Sequence, residues 1–285
     1  MSNSLADSYQ YCGRVVRRAS TNFYWSFWLL PREKRRAMAA LYAFARHTDD
    51  LGDGDGPLAD REVALTRWRE MYDDALAGRF HEPLLPAVAD TVRRFEIRPE
   101  LLHKIIAGVM MDLHHQGFET FDELRYYCEH VASAVGLACL PIWGVRDETK
   151  IVQPAFDCGL AFQLTNILRD LQEDSQRGRV YLPREELRRF DFDEAALRAG
   201  TCDERFMNLM QFQMQRAQQF YQAAAATRDY LHADGQRMFT MMFNTYRSLL
   251  NKIQRRPAAV LKGRVRLSFI HKLQIAASSI CRGLA

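Results

Sequence analysis

The chain has 285 residues, 48% hydrophobic and 26% charged, with 39 basic against 35 acidic side chains and a formal net charge of +4. That content supplies a sizeable core and excludes a disordered, collagen-like or disulfide-scaffold protein. The near-balanced charge, with no long Lys/Arg block, argues against a nucleic-acid partner.

In chain order, the N-terminal MSNSLADSYQY is polar and does not read as a signal peptide. Pro31 opens a period-3.6 pattern through REKRRAMAALYAFARHTDD, which stops at GDGDGP (52–57). This last segment lacks the ligand register of a calcium loop and reads as a turn. Further helices are predicted near 60–77, 84–95, 99–117, 120–140, 147–174, 203–229, 236–254 and 268–283, with most prolines between them. Segment 178–200 is the least regular part. No period-two alternation recurs, and no linker divides the chain. The predicted fold is all-α, one domain over 1–285.

The six cysteines (12, 128, 139, 158, 202, 281) form no C-x-x-C, so neither a zinc site nor a disulfide framework is expected. The weakly charged stretch 131–145 is too short to span a bilayer and is interrupted by Pro141. The expectation is a reduced, soluble, cytoplasmic protein. Nothing in the sequence specifies an oligomeric state.

Two acidic clusters carry the chemistry: Asp49-Asp50-Leu51-Gly52-Asp53 and Asp170-Leu171-Gln172-Glu173-Asp174. In each, the outer aspartates lie one helical turn apart, so like charges share a face and repel. A divalent cation removes that cost, and an all-oxygen donor set with room for water and phosphate suits Mg²⁺, with Mn²⁺ as the alternative. Tyr42, Arg46, Asp49 and Asp53 form one stripe; Gln163, Asn166, Asp170 and Asp174 form another on an otherwise apolar helix. Facing each other, the stripes would clamp metal and diphosphate at the mouth of an apolar pocket. Arg169, Arg177 and Arg179 lie nearby in sequence and suit phosphate oxygens. His114 and His115 are adjacent, point to different helix faces and are not expected to bind metal. The aromatic run FYWSFW (23–28) and the basic stretch RRPAAVLKGRVRLSFIHK are candidate contacts for a membrane surface.

These motifs, LLPREKRRAMAALYAFARHTDDLGD (29–53), MDLHHQGFETFDELRYYCEHVASAVGL (111–137) and GLAFQLTNILRDLQEDSQRGRVYLP (159–183), resemble the squalene/phytoene synthase family over nearly the whole chain. The resemblance implies an isoprenoid-synthase helical bundle with a central apolar channel. It also implies Mg²⁺-dependent ionisation of one allylic diphosphate, attack by the double bond of a second, and a cyclopropyl diphosphate intermediate. By motif, Asp49, Asp50, Asp53, Asn166, Asp170 and Asp174 would be associated with metal. Arg46, Gln163, Asn166, Arg169 and Arg264 would contact diphosphate or its metal shell. Tyr127 and Tyr246 match reaction-centre positions, and Tyr42 and Phe23 line the channel. The chain departs from the family pattern at Gly13, at Ser20-Thr21-Asn22-Phe23 and at Phe118, where relatives carry a His, a Ser-x-Ser-Phe and a Tyr.

The expected reaction joins two farnesyl diphosphates through presqualene diphosphate to a squalene-type C30 product; the alternative joins two geranylgeranyl diphosphates to phytoene. NADPH enters only if the last cation is quenched by hydride; water or proton loss requires none. A non-catalytic prenyl-lipid binder would shed its costly carboxylates, which are intact here.

Overall fold

A computed structural model describes residues 4–19, 26–54, 56–268 and 274–275. Twelve α-helices occur among them: α1 (Leu5–Ala19), α2 (Arg32–Gly52), α3 (Leu58–Leu76), α4 (Leu85–Arg94), α5 (Pro99–Leu113), α6 (Phe121–Cys128), α7 (Ala134–Trp143), α8 (Glu148–Gln176), α9 (Arg184–Arg189), α10 (Glu194–Ala199), α11 (Glu204–Ala224) and α12 (Ala233–Arg255). The only extended pairing among the described residues is an isolated bridge between Val145 and Leu231. The predicted all-α fold is the observed one.

Local sequence sets the helix starts. The Thr120 hydroxyl caps α6 by accepting from the Glu123 N–H, and Asp147 caps α8 by accepting from Thr149 and Lys150. Asp193 and Asp203 do the same for α10 and α11. The 29-residue α8 is the central column, packed against α7, α11, α12 and the turn joining α6 to α7. Its buried face runs Ile151, Ala155, Cys158, Leu160, Leu164, Ile167 and Leu171.

Three expectations change, and a fourth is untested. α1 was not anticipated: it is short and largely polar, and buries only Ser8, Tyr9, Cys12 and Val16 at helical spacing. The helix expected over 120–140 is divided by a π turn, Glu129–Ser133, and continues through Pro141, which lies inside α7 instead of breaking it. Packing on both sides compensates the lost backbone donor. Segment 178–200 holds two short helices, pinned by a buried ion pair in which Glu186, 4% exposed, accepts from Arg216 and from Gln213. The helix expected over 268–283 lies mostly outside the described residues.

The π turn fits because α8 has no side chain at its contact: a Cβ on Gly159 would sit 2.5 Å from the Ser133 Cα. Backbone cannot yield as a side-chain tip can. Gly159→Ala is therefore expected to cost about 1–3 kcal/mol, read as a lower denaturant midpoint with unchanged slope. An unaffected midpoint would show that the contact relaxes freely.

Candidate active site

α2, α5, the π turn, α7, α8 and α12 enclose an apolar cavity of about 440 Å³. Its walls include Met38, Leu41, Tyr42, Val135, Phe162 and Phe239. It opens into a polar mouth of about 360 Å³ lined by Asp49, Asp53, Asp112, Gln163, Asn166, Arg169, Asp170, Asp174, Arg179 and Tyr181. Asp49, Val109, Asp112, Tyr127, Gln163 and Asn166 border both spaces, so the two form one continuous channel.

The stripe on α8 lies wholly on the mouth wall, with Asp49 and Asp53 of α2 on the same mouth. Arg46 and Asp50 border neither space. They pair with each other at 2.5 Å, each about half exposed, on the flank of α2. Arg177 likewise turns outward to Glu173 at 2.9 Å, whereas Arg179 faces the mouth. Arg264 reaches back from beyond α12, its Nε 3.1 Å from Asp170 Oδ1. Arg169 holds the same carboxylate, with Nε donating to Oδ1 at 2.8 Å. Asp170 is thus gripped by two guanidinium groups, of which Arg169 also borders the space a diphosphate would enter. Tyr246 stacks on Phe162 with centroids 4.3 Å apart and hydrogen-bonds with the Asn166 amide. Tyr42 lines the cavity edge-on to Phe27. Phe23 lies outside the described residues.

The electrostatics mark the two acid pairs. Asp49 borders the water of the mouth yet is recessed among protein atoms; that recess, with the neighbouring Asp53, pushes its pKa up to about 7. Burial and Asp170 push Asp174 up to about 6. Both shifts arise first from desolvation and then from a neighbouring carboxylate of like charge. Asn166 Oδ1 is buried without a hydrogen-bond partner, a lone pair facing the same charged wall.

One functional element was not read from the sequence. The Tyr127 and Tyr181 hydroxyls both donate to Asp112, at 2.9 and 3.0 Å. The Tyr127 and Tyr181 rings stack at 5.5 Å, with Phe118 against Tyr127 at 5.4 Å. His115 Nε2 lies 3.1 Å from the Val180 carbonyl and its ring packs on Tyr181, while His114 pairs with Glu62 on the surface. Burial raises the pKa of Asp112 even against these hydroxyls. The GRVYLP motif and the position of Asp112 on the cavity face of α5 were the available signals.

A family model described as squalene/phytoene synthase matches residues 16–271. The chain belongs to the squalene/phytoene synthase family. Membership makes it a prenyltransferase of the head-to-head class, as the motifs led us to expect. It is 38% identical over 262 residues to a phytoene synthase of Arthrospira platensis, covering 88% of this chain and 85% of the relative. It is 33% identical to the 15-cis-phytoene synthase of Synechococcus elongatus, covering 95% and 91%. It spans 60% of the length of a chloroplastic phytoene synthase of Arabidopsis thaliana, at 34% identity. Among solved structures, a dehydrosqualene synthase superposes with a TM-score of 0.89 at 27% identity, covering 98% of this chain and 97% of that one. A squalene synthase of Alicyclobacillus acidocaldarius gives 0.83 at 26%, covering 88% and 94%. The relatives' names reverse the expected order of products: they favour the C40 alternative over the C30 reading. No helix of the described residues is long and apolar enough to cross a membrane.

Proposed function

We propose that this protein condenses two geranylgeranyl diphosphates head to head to phytoene. The observation that carries this is the channel itself: a polar mouth lined by both acid pairs, continuous with an apolar cavity, in a chain similar to phytoene synthases over most of its length.

The donor set fits Mg²⁺. All candidate ligands are oxygens, both outer acid pairs carry excess charge, and the Asn166 oxygen lacks a partner. Among the described residues no three His, Cys, Asp or Glu side chains converge on one point; a metal bound here would complete its shell with diphosphate oxygens and water. Asp49, Asp53, Asn166, Asp170 and Asp174 would hold it. Asp50 would have to release Arg46 to join them. Mg²⁺ would supply charge neutralisation for the departing diphosphate.

The chain's own residues do the rest. Arg169, Arg179 and Arg264 bind diphosphate oxygens, and Arg169 and Arg264 exchange Asp170 for substrate as it enters. Ionisation breaks the C1–O bond of one substrate and leaves an allylic cation. The cavity wall excludes water from it, and the faces of Tyr42, Phe162 and Tyr246 stabilise it. The second substrate's double bond attacks C1, and loss of one proton closes a cyclopropane. Departure of the second diphosphate, rearrangement and loss of a second proton give the hydrocarbon. The whole conversion releases two diphosphates and two protons, so it needs no reductant. Tyr127, at the junction of cavity and mouth, takes each proton on its hydroxyl oxygen while passing its own to Asp112, which gives the first up to solvent in the mouth before the second arrives.

Two checks follow from this arrangement. With Mg²⁺, diphosphate release should show a higher kcat/KM for geranylgeranyl than for farnesyl diphosphate; the reverse order would restore the C30 reading, which the superposition on dehydrosqualene synthase favours. The second concerns pH without metal. Asp49 and Asp174 keep protons in the folded state that the unfolded chain loses above about pH 4. Stability must therefore fall as pH rises from about 4 to 7, then level. Thermal melts should show this fall, and Mg²⁺ should restore more stability at pH 8 than at pH 5. A pH-independent effect of Mg²⁺ would remove these carboxylates from its site.

A further inference from the structure

The channel has two unlike ends. α2 runs its length: Asp49 and Asp53 stand at the mouth, and its first residue, Arg32, lies about 30 Å away along the axis. Phe27 and Trp143 form part of the wall at that far end. Phe27 faces the cavity while the next residue, Trp28, is 55% exposed, with the Arg35 guanidinium 4.1 Å above its ring. Trp143 also faces the cavity, and its carbonyl accepts from Lys34 at 3.0 Å; Lys34 is bound in turn to Asp234 at 2.7 Å.

The far end is electropositive for two independent reasons. Three long helices begin there: α2, α8 and α12. Lys34 in the first turn of α2 touches the loop before α8, and that loop is tied to the start of α12 by His232 N–H to the Gly144 carbonyl at 2.9 Å and by Arg146 N–H to the Tyr230 carbonyl at 2.8 Å. Their N-terminal dipole ends converge. The side chains add to this. Glu33, Asp147 and Asp234 are each engaged by a cation, whereas Arg32, Arg146 and Arg228 are exposed, with Glu148 and Asp229 the exposed acids close to them in sequence. The mouth at the opposite end is dominated by aspartates.

We propose that this end is a docking face for an anionic lipid bilayer, with Trp28 at the headgroup level and the arginines on lipid phosphates. An indole beside a guanidinium suits that interface, being apolar in body and polar at the edge. The charge has the sign that anionic lipid attracts, and cationic residues near such a surface act additively. The proposal rests on the reading that the product is a hydrocarbon. Such a product gains nothing from the charged mouth, and the far end is where the apolar, aromatic part of the channel lies. The basic C-terminal stretch is the weaker candidate surface, because Arg264 is engaged by Asp170 and the Arg266 carbonyl by Lys252.

The test is co-sedimentation of the full chain, without substrate, with phosphatidylcholine vesicles with and without phosphatidylglycerol. Binding is expected only with the anionic lipid and should weaken with salt. At about fivefold per charge, the triple variant Arg32→Gln, Arg146→Gln, Arg228→Gln should lose about 100-fold in partitioning. Trp28→Ala should weaken it as well, while Arg255→Gln with Arg256→Gln should bind as the parent does, all folded by circular dichroism. No anionic preference, no binding, or a triple variant that binds like the parent overturns the proposal; so does loss of binding in the Arg255/Arg256 pair alone. Turnover without vesicle binding removes only the docking face, and binding without turnover removes only the prenyl-transfer reading.

Discussion

Asp170→Asn is expected to lower turnover by about a thousandfold or more while leaving the fold intact, because it removes charge where the departing diphosphate must be neutralised. Asp49→Asn, on the other acid pair of the mouth, should do the same. The signature that separates this from general damage is stability. Asp49 is forced up to about 7 by its recess and by Asp53, so at pH 8 without divalent cations its neutral amide replaces a repelled carboxylate. Asp49→Asn should therefore melt no lower than the parent there, and should lose most of the stabilisation by Mg²⁺. Asp170 is held by Arg169 and Arg264; its amide variant leaves those guanidinium groups less compensated and should melt slightly lower. Full Mg²⁺-dependent turnover in either variant would take the acid pairs out of the chemistry.

Tyr127→Phe carries the second large effect. It keeps the ring between cavity and mouth but removes the hydroxyl that donates to Asp112. A loss of about 10²–10⁴ in kcat, with KM changed only a few-fold, is the range for a lost proton-transfer group. Asp112→Asn should show a comparable loss, since the amide cannot take a proton from Tyr127. Tyr181→Phe removes only the second donor to Asp112 and should cost less. Equal, small losses in all three would make the cluster a packing feature, with the released diphosphate as the base.

How much of this was legible follows from sequence distance. The α8 stripe, Gln163, Asn166, Asp170 and Asp174, lies within one helix, so its period alone places it on one face. The α2 stripe was legible only in part. The same four-residue spacing that aligns Asp49 with Asp53 also lets Arg46 reach Asp50, and that pair sits on the flank. Asp112 was passed over because its partners, Tyr127 and Tyr181, lie 15 and 69 residues away, and a lone aspartate near a helix end has no pattern of its own. The π turn was equally silent. It depends on Gly108 of α5 and Gly159 of α8 admitting Val131 and Ser133 of the turn, a tertiary fit that neither propensity nor period encodes. The choice between C30 and C40 came from the relatives, since chain length is set by cavity depth, not by the motifs at the mouth.

The most direct test of the central claim is product identification. The purified protein, incubated with Mg²⁺ and geranylgeranyl diphosphate without NADPH, should yield a C40 hydrocarbon with a conjugated triene, identified by mass and ultraviolet absorption. Farnesyl diphosphate should be the poorer substrate in a parallel incubation. Turnover of farnesyl diphosphate alone, to a C30 diphosphate, alcohol or hydrocarbon, or no turnover of either by folded protein, would contradict the account.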